Sequence, residues 1–400
     1  MLELGLVGKP NTGKTTFFNA ATLADAAIGG YPFTTIDANI GVTYVRSRCP
    51  CQELDMDCDP QNSRCENGTR WVPVRIIDVA GLVEGAYKGK GLGNQFLDNL
   101  RMASALIHLI DTAGATDAGG EPLPPGSRDP MEDLGFLEEE FDRWLTGILS
   151  DGWSRFVRKV QLEKGDISKP IAERVSGLGI TREDVSSALR SAELDPDSPE
   201  SWSEKDLFKL SKNLRKASKP ILIGANKVDM EKAEENYKKL EETDYKVVPM
   251  SSESELALRR AEEKGLIDYK PGDSEFKITK EGKLGKKQKK ALESIQGFLD
   301  KWGSTGVQKA IDRAIYDLLE MIVVYPVDDE NHLTDKKGNV LPDAFLVPEG
   351  TTAKEFAYQI HSDLGDSFLH AINARTDQRI GEGYKLKNED IIRIVSAKGR

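Results

Sequence analysis

The sequence predicts a multidomain α/β protein, and three observations carry that prediction. Its 400 residues exceed what one ordinary core organises, so two or three domains are expected. A short apolar strand over residues 2–7 runs straight into a glycine-rich loop and then a helical pattern, the opening unit of a parallel sheet. From Met321 the texture changes to short strands around one helix, which marks off a compact carboxy-terminal unit.

Composition narrows the function classes. With 38% hydrophobic and 30% charged residues and no apolar run of about 18 residues, neither a membrane span nor global disorder is predicted. The start of the chain lacks the basic and cleavage segments of a signal peptide, so the protein reads as cytoplasmic. A net charge of -11 argues against whole-surface attraction to nucleic acid, and neither DNA nor membrane is an expected partner. Residues 276–290, FKITKEGKLGKKQKK, remain as a candidate local basic face.

The elements follow in order. The helix after the glycine loop is expected from Lys14 to about Ala26, then the turn-rich IGGYPFTTI and the alternating strand ANIGVTYVR. That strand pairs with RWVPVRIID as a hairpin, with all four cysteines at its tip. Two DxxG tetrapeptides follow, DVAG at 78–81 and DTAG at 111–114. Asp78 is read as the phosphate sensor, because it ends the hairpin's return strand and opens a segment made permissive by Gly85, Gly89, Gly91 and Gly93. Asp111 is read as the end of the next strand, ALIHLI, reached through a helix near Asn94 to Ser104. GGEPLPPGSRDP then leaves the sheet as a linker into a charged helical region, where Leu134, Leu137, Phe141, Trp144 and Leu145 form a packing face. The sheet resumes with PILIGA, leading into NKVD at 226–229, and YKVVPM ends at SSE, residues 251–253. Helices continue to about Leu319. The expected division is a nucleotide domain at 1–123 and 218–255 with a cysteine hairpin insertion at 47–70, a helical domain at 124–217 and 256–320, and a β-rich domain at 321–400.

The first loop, GKPNTGKT, fits GxxxxGK[ST]. Its glycines let successive N–H groups and the helix's positive end face phosphates, with Gly8, Asn11, Thr12, Gly13, Lys14, Thr15 and Thr16 as the candidate contacts. Lys14 can reach the β and γ phosphates and the Thr15 hydroxyl can bind magnesium. Thr35, with Thr34 as alternative, is placed to add a hydroxyl to magnesium and an amide to the γ phosphate. Asp78 would hold magnesium through water, and the Gly81 amide would touch the γ phosphate. Lys14, Thr35 and Gly81 are therefore the candidate catalytic groups. In NKVD, the Asp229 carboxylate can accept from both the ring N–H and the exocyclic amine of guanine, donors that adenine does not pair on that edge. Asn226 would tie the loops together, the Lys227 stem can lie over the base, and the backbone of Ser251 and Ser252 can meet the guanine carbonyl.

The cysteines fall at Cys49, Cys51, Cys58 and Cys65, all within one short loop poor in apolar residues. Four thiolates there can close a structural zinc site; disulfides or free thiols are the alternatives.

Taken in order, GKPNTGKT, PFTT, DVAG, NKVD and SSE resemble the translation-factor-related GTPases. YPFTTI and DVAGLVEGAYKGKGLGNQFLDNLR look specifically like the Obg and YchF family, and the last 80 residues are similar to a TGS domain of β-grasp fold. The resemblance implies a Ras-like P-loop NTPase domain with a helical insertion, magnesium-dependent hydrolysis of GTP to GDP, and association with ribosomes or structured RNA. YchF members usually depart from the guanine-reading aspartate and accept ATP, whereas Asp229 is retained here. An ATPase of that type and a nucleotide-sensing RNA-binding module are the rival readings. Leu82 stands where many GTPases orient water with glutamine, so unaided turnover is expected to be slow. Asn11 occupies the position that resembles a potassium ligand in related GTPases, against the simpler reading of a polar turn residue.

Overall fold

The computed structural model describes residues 2–23, 39–79, 101–162 and 166–397. The sequence-predicted residues Thr34, Thr35, Gly81 and Leu82 lie outside them, as does most of the helix expected near Asn94.

Apolar runs buried along their whole length build the centre of the first sheet: β1 (Glu3–Val7), β5 (Ala105–Asp111) and β6 (Ile221–Asn226) are buried at every residue. Such strands suit a parallel sheet covered on both faces. The order is β2-β4-β1-β5-β6-β7, with β2 (Ile40–Arg48), β4 (Thr69–Asp78) and β7 (Lys246–Pro249) completing it, and β3 (Arg64–Glu66) pairing with β4. β2 runs antiparallel to β4, in register from Ile40 opposite Ile77 to Arg48 opposite Thr69; β4, β1, β5, β6 and β7 are parallel. The order in which strands are added switches sides between β1 and β5, and open α/β sheets place ligands at the carboxyl ends of the strands beside such a switch.

Helices cover the two faces. Met131–Ser150 and Glu204–Ser218 bury Leu137, Phe141, Leu145, Leu210 and Leu214 against Leu106 and Ile110 of β5. On the other face, α1 (Lys14–Thr22) and the helix Val307–Arg313 bury Phe17, Ala310 and Ile311 against Leu4, Leu6, Ile107 and Leu109.

Apart from this sheet, β8 (Ile267–Asp268) and β9 (Lys277–Ile278) pair with each other. The second core does not stop at the large sheet. It continues through Met321, Val323, Tyr325 and Val327 of β10 (Met321–Val327) into Leu341, Ala344 and Ile391. The period of two in a strand explains this: Ile322 and Val324 point the other way, into the carboxy-terminal unit's own core with Val347, Phe356 and Ala371. This unit is a five-stranded sheet of order β11-β10-β14-β12-β13, made with β11 (Phe345–Pro348), β12 (Phe368–Asn373), β13 (Gln378–Ile380) and β14 (Ile391–Ser396). Its helix Ala353–Ile360 starts from Thr352, whose hydroxyl and the Glu355 carboxylate close a reciprocal capping box.

β5 also buries a histidine. Burial, reinforced by the charge of Lys14, pulls the His108 imidazole down to about 3. Between that value and its ordinary 6.5 the unfolded chain binds a proton that the folded chain refuses, so stability falls as pH drops through this window. The slope contributed is up to about 1.4 kcal/mol per pH unit. Urea unfolding at about pH 7.5 and about pH 5.5 is expected to show a larger loss for the wild type than for His108→Leu. Equal losses would place the acid sensitivity elsewhere.

Candidate nucleotide-binding site

The glycine loop has the backbone that phosphate binding requires. Gly8 and Gly13 take φ values of 145° and 99°, and Asn11 also lies at positive φ, 62°. A Cβ at Gly13 would sit 2.2 Å from Nδ2 of Asn226, and one at Gly8 2.5 Å from the carbonyl oxygen of Leu109, so both glycines are needed for close approach as well as for conformation. The Lys14 ammonium donates to the carbonyl oxygens of Gly8 and Lys9, at 2.9 and 2.8 Å, and spans the loop from within. Burial lowers Lys14 to about 8, opposed by the nearby Asp78 carboxylate. An anion in the loop restores its full charge.

Thr15 and Asp78 meet directly: the Thr15 hydroxyl donates to Oδ2 of Asp78 at 3.1 Å. Burial raises the Asp78 carboxyl, and the Thr15 hydroxyl and Lys14 charge oppose the shift. Thr12 is buried with its hydroxyl on the Lys9 carbonyl, 3.1 Å away, and Thr16 is half-buried on α1.

Asn226 joins three loops. Its Nδ2 donates to the carbonyl of Thr12 at 2.7 Å, while its Oδ1 accepts from the backbone amide and hydroxyl of Ser252 at 3.0 and 3.1 Å. Lys227, at a φ of 63°, donates to Oδ2 of Asp111 at 3.0 Å, and the same carboxylate oxygen accepts from the Thr116 hydroxyl at 2.9 Å. The Asp229 loop is held by Val228, whose amide donates to Met250, and Asp229 itself is exposed. The Ser251 amide is engaged by the carbonyl of Thr305 and its hydroxyl caps the helix Ser252–Glu263. In this arrangement the Ser251 and Ser252 amides serve the loop scaffold, so a base carbonyl would compete with Asn226 for Ser252.

Sequence reasoning missed several residues that shape this cradle. The segment read as a linker packs against the glycine loop on its way out: Gly120 accepts from Asn11 Nδ2 at 2.9 Å and Thr116 from Lys9 at 2.9 Å. Lys9 also pairs with the buried Asp133, 2.8 Å away. Asp111, read as a strand end, is the anchor of Lys227. Its chain position at the carboxyl end of β5, beside those of β1 and β6, was the available signal.

Apart from this cradle, the four cysteine sulfurs lie within 4.8 Å of one another, with Cys49 and Cys58 3.9 Å apart and Cys51 and Cys65 3.7 Å apart. All four are free thiols, at separations far beyond a disulfide bond of about 2.05 Å. The cluster could hold a metal ion.

A Ras-like sheet order with a glycine loop, a DxxG carboxylate and an NKxD loop converging at its carboxyl edge defines a P-loop nucleotide-binding protein. Family models agree along the chain: residues 3–133 match a 50S ribosome-binding GTPase, 224–329 an Obg-like GTPase G4 motif-containing domain, and 332–396 a TGS domain. The chain belongs to the YchF/Obg-like family of GTP-binding proteins. An uncharacterized GTP-binding protein of Methanocaldococcus jannaschii is 50% identical over 399 residues, covering 99% of this chain and 100% of its own. A ribosome-binding ATPase, YchF, of Bacillus subtilis is 29% identical, covering 92% of this chain and 87% of its own. The crystal structure of a GTP binding protein from Pyrococcus horikoshii superposes with a TM-score of 0.80 at 41% identity, covering 99% of this chain and all of that one. Among the described residues no helix is long and apolar enough to cross a membrane.

Proposed function

We propose that this protein binds GTP, hydrolyses it slowly to GDP and phosphate, and acts as a nucleotide-controlled switch on the ribosome or another structured RNA. The observation that carries the reading is the Asn226 side chain, which bonds the phosphate loop at Thr12 and the base-side loop at Ser252 and so holds both halves of one nucleotide cradle in register. Asp229 at the open rim of that cradle selects guanine through two accepted protons. The Thr15 and Asp78 oxygens form a hard donor set that suits magnesium, which when bound neutralises charge on the β and γ phosphates. Thr35, or Thr34, and Gly81 complete the γ-phosphate contacts. With Leu82 after the switch glycine, no side chain there orients water, and turnover alone is slow. Asn11 spends its amide nitrogen on Gly120, which leaves Oδ1 for a potassium ion. Ribosome association draws on the relative from Bacillus subtilis named for it, and on the exposed lysines Lys277, Lys280, Lys283, Lys286, Lys287 and Lys290, a local basic face on an acidic protein.

Cosedimentation with ribosomes is expected to be stronger with a nonhydrolysable GTP analogue than with GDP, and phosphate release to be faster in potassium than in sodium buffer. Equal sedimentation in both nucleotide states would refute the switch. Equal turnover in both salts would remove potassium, and faster turnover with ATP than GTP would favour a YchF-type ATPase.

A further inference from the structure

We propose that Cys49, Cys51, Cys58 and Cys65 hold one structural zinc ion, and that this ion clamps the carboxy-terminal TGS unit onto the β2–β4 hairpin of the nucleotide domain. The inference is independent of which nucleotide the cradle binds.

The spacing of the sulfurs comes first. Zinc–thiolate bonds of about 2.3 Å in a tetrahedron require sulfur–sulfur edges of about 3.8 Å. Two of the six sulfur–sulfur separations, 3.9 and 3.7 Å, straddle that value, and all six lie within 4.8 Å. The four ligands come from the end of β2, the short helix α2 (Pro50–Glu53), the following loop and β3, so they converge from separate pieces of chain. Four protein thiolates leave no open position, the pattern of a structural site.

Charge supplies a second, separate argument. Arg70 is 0% exposed; its Nη2 donates to the Leu341 carbonyl, its guanidinium lies over the Tyr325 ring at 5.5 Å, and the carboxylate that feels its charge, Asp343, forms no direct ion pair with it. Its Nη1 points at Cys58 Sγ, 3.9 Å away, and its Nε has no hydrogen-bond partner. A buried guanidinium with an unpartnered nitrogen and no direct ion pair is costly. Zinc binding releases the four thiol protons and leaves a dianionic centre on the Nη1 side of Arg70, which adds to the countercharge that Asp343 supplies.

Location gives the function. Between Pro50 and Glu66 the only large apolar side chains are Leu54 and Met56, and Leu54 is 39% exposed, so this loop has little core of its own. Yet it carries the contacts to the TGS unit. The Asp59 and Gln61 amides donate to the carbonyls of Val340 and Pro342 at 2.9 and 2.7 Å, and the Asn62 side chain exchanges two bonds with the Ala344 backbone at 3.0 and 2.8 Å. These residues lie between Cys58 and Cys65, so the metal fixes both ends of the strip that docks. The other branch of the clamp is β2, which leads back toward the Thr34–Thr35 segment.

The purified full-length protein is expected to contain one zinc per chain, released to a chromogenic chelator only on thiol modification or unfolding. Stripping zinc should speed hydrogen exchange at Asp59, Gln61 and Ala344 by about tenfold or more, while amides of α1 and of β12 stay protected, and zinc readdition should reverse the change. The double variant Cys58→Ser/Cys65→Ser should reproduce the stripped state with nucleotide affinity retained. Metal-free protein lighter by four hydrogens than the reduced chain, or iron in place of zinc, would overturn the metal assignment. Zinc loss without faster exchange at the docking strip would overturn the clamp.

Discussion

Lys14→Ala is expected to weaken GTP binding by a factor on the order of 100 to 10,000 and to bring hydrolysis below detection. The side chain lies inside the phosphate loop, donating to the Gly8 and Lys9 carbonyls from a buried position. Moving it onto the β and γ phosphates exchanges two neutral acceptors for charged ones, and each charge-assisted bond contributes about 1.5–3 kcal/mol. GDP lacks the γ group, so its affinity should fall less than that of GTP. Titration of a fluorescent nucleotide reads both losses. Thermal unfolding of the same variant separates a lost ligand contact from a collapsed loop, because the positive φ angles of the loop belong to Gly8 and Gly13 and not to the lysine. A variant that keeps GTP within tenfold of the wild type would show that Lys14 does not grip phosphate.

Much of this cradle was legible because its chemistry is local. Positive φ at Gly8 and Gly13 and a buried strand before them are properties of neighbouring residues, and the chain order of DVAG, NKVD and SSE constrains where the sheet delivers them. The tie from Asn226 to the phosphate loop followed from that order. The strand at Met321 was legible too, because the periodicity changes there and β10 begins at that residue. What could not be read were contacts made through backbone carbonyls, which every residue carries. Asn11 meets Gly120 across 109 residues, and Asn62 meets Ala344 across 282, with no side-chain pattern at the carbonyl end. The segment after DTAG therefore looked like a departing linker, and the cysteine loop looked like an isolated tip. The double burial of β10 was hidden for a related reason: a strand apolar on both faces does not say what covers either one.

Asp229→Asn should lower GTP affinity by about 100-fold or more while leaving ATP nearly unchanged, which erases the preference between them. A carboxylate accepts two bonds from the guanine edge, whereas an amide turns a donor toward one of those donors, leaving a polar group unpaired and a like pair facing. The change is unusually clean in this protein. Asp229 is exposed, so nothing in the core depends on its charge, and its loop is held by other residues: Asn226 to Thr12 and Ser252, Lys227 to Asp111, and the Val228 amide to Met250. The variant should fold with an unchanged unfolding midpoint and fail only in choosing its base. Xanthosine triphosphate provides the converse measurement, because its extra ring carbonyl accepts from the new amide and should restore binding to Asp229→Asn but not to the wild type. If calorimetry finds GTP and ATP held alike by the wild type, or finds the ratio unmoved in the variant, base selection in this chain does not reside at Asp229. The guanine reading would then give way to an ATPase reading, the activity named in its more distant relatives.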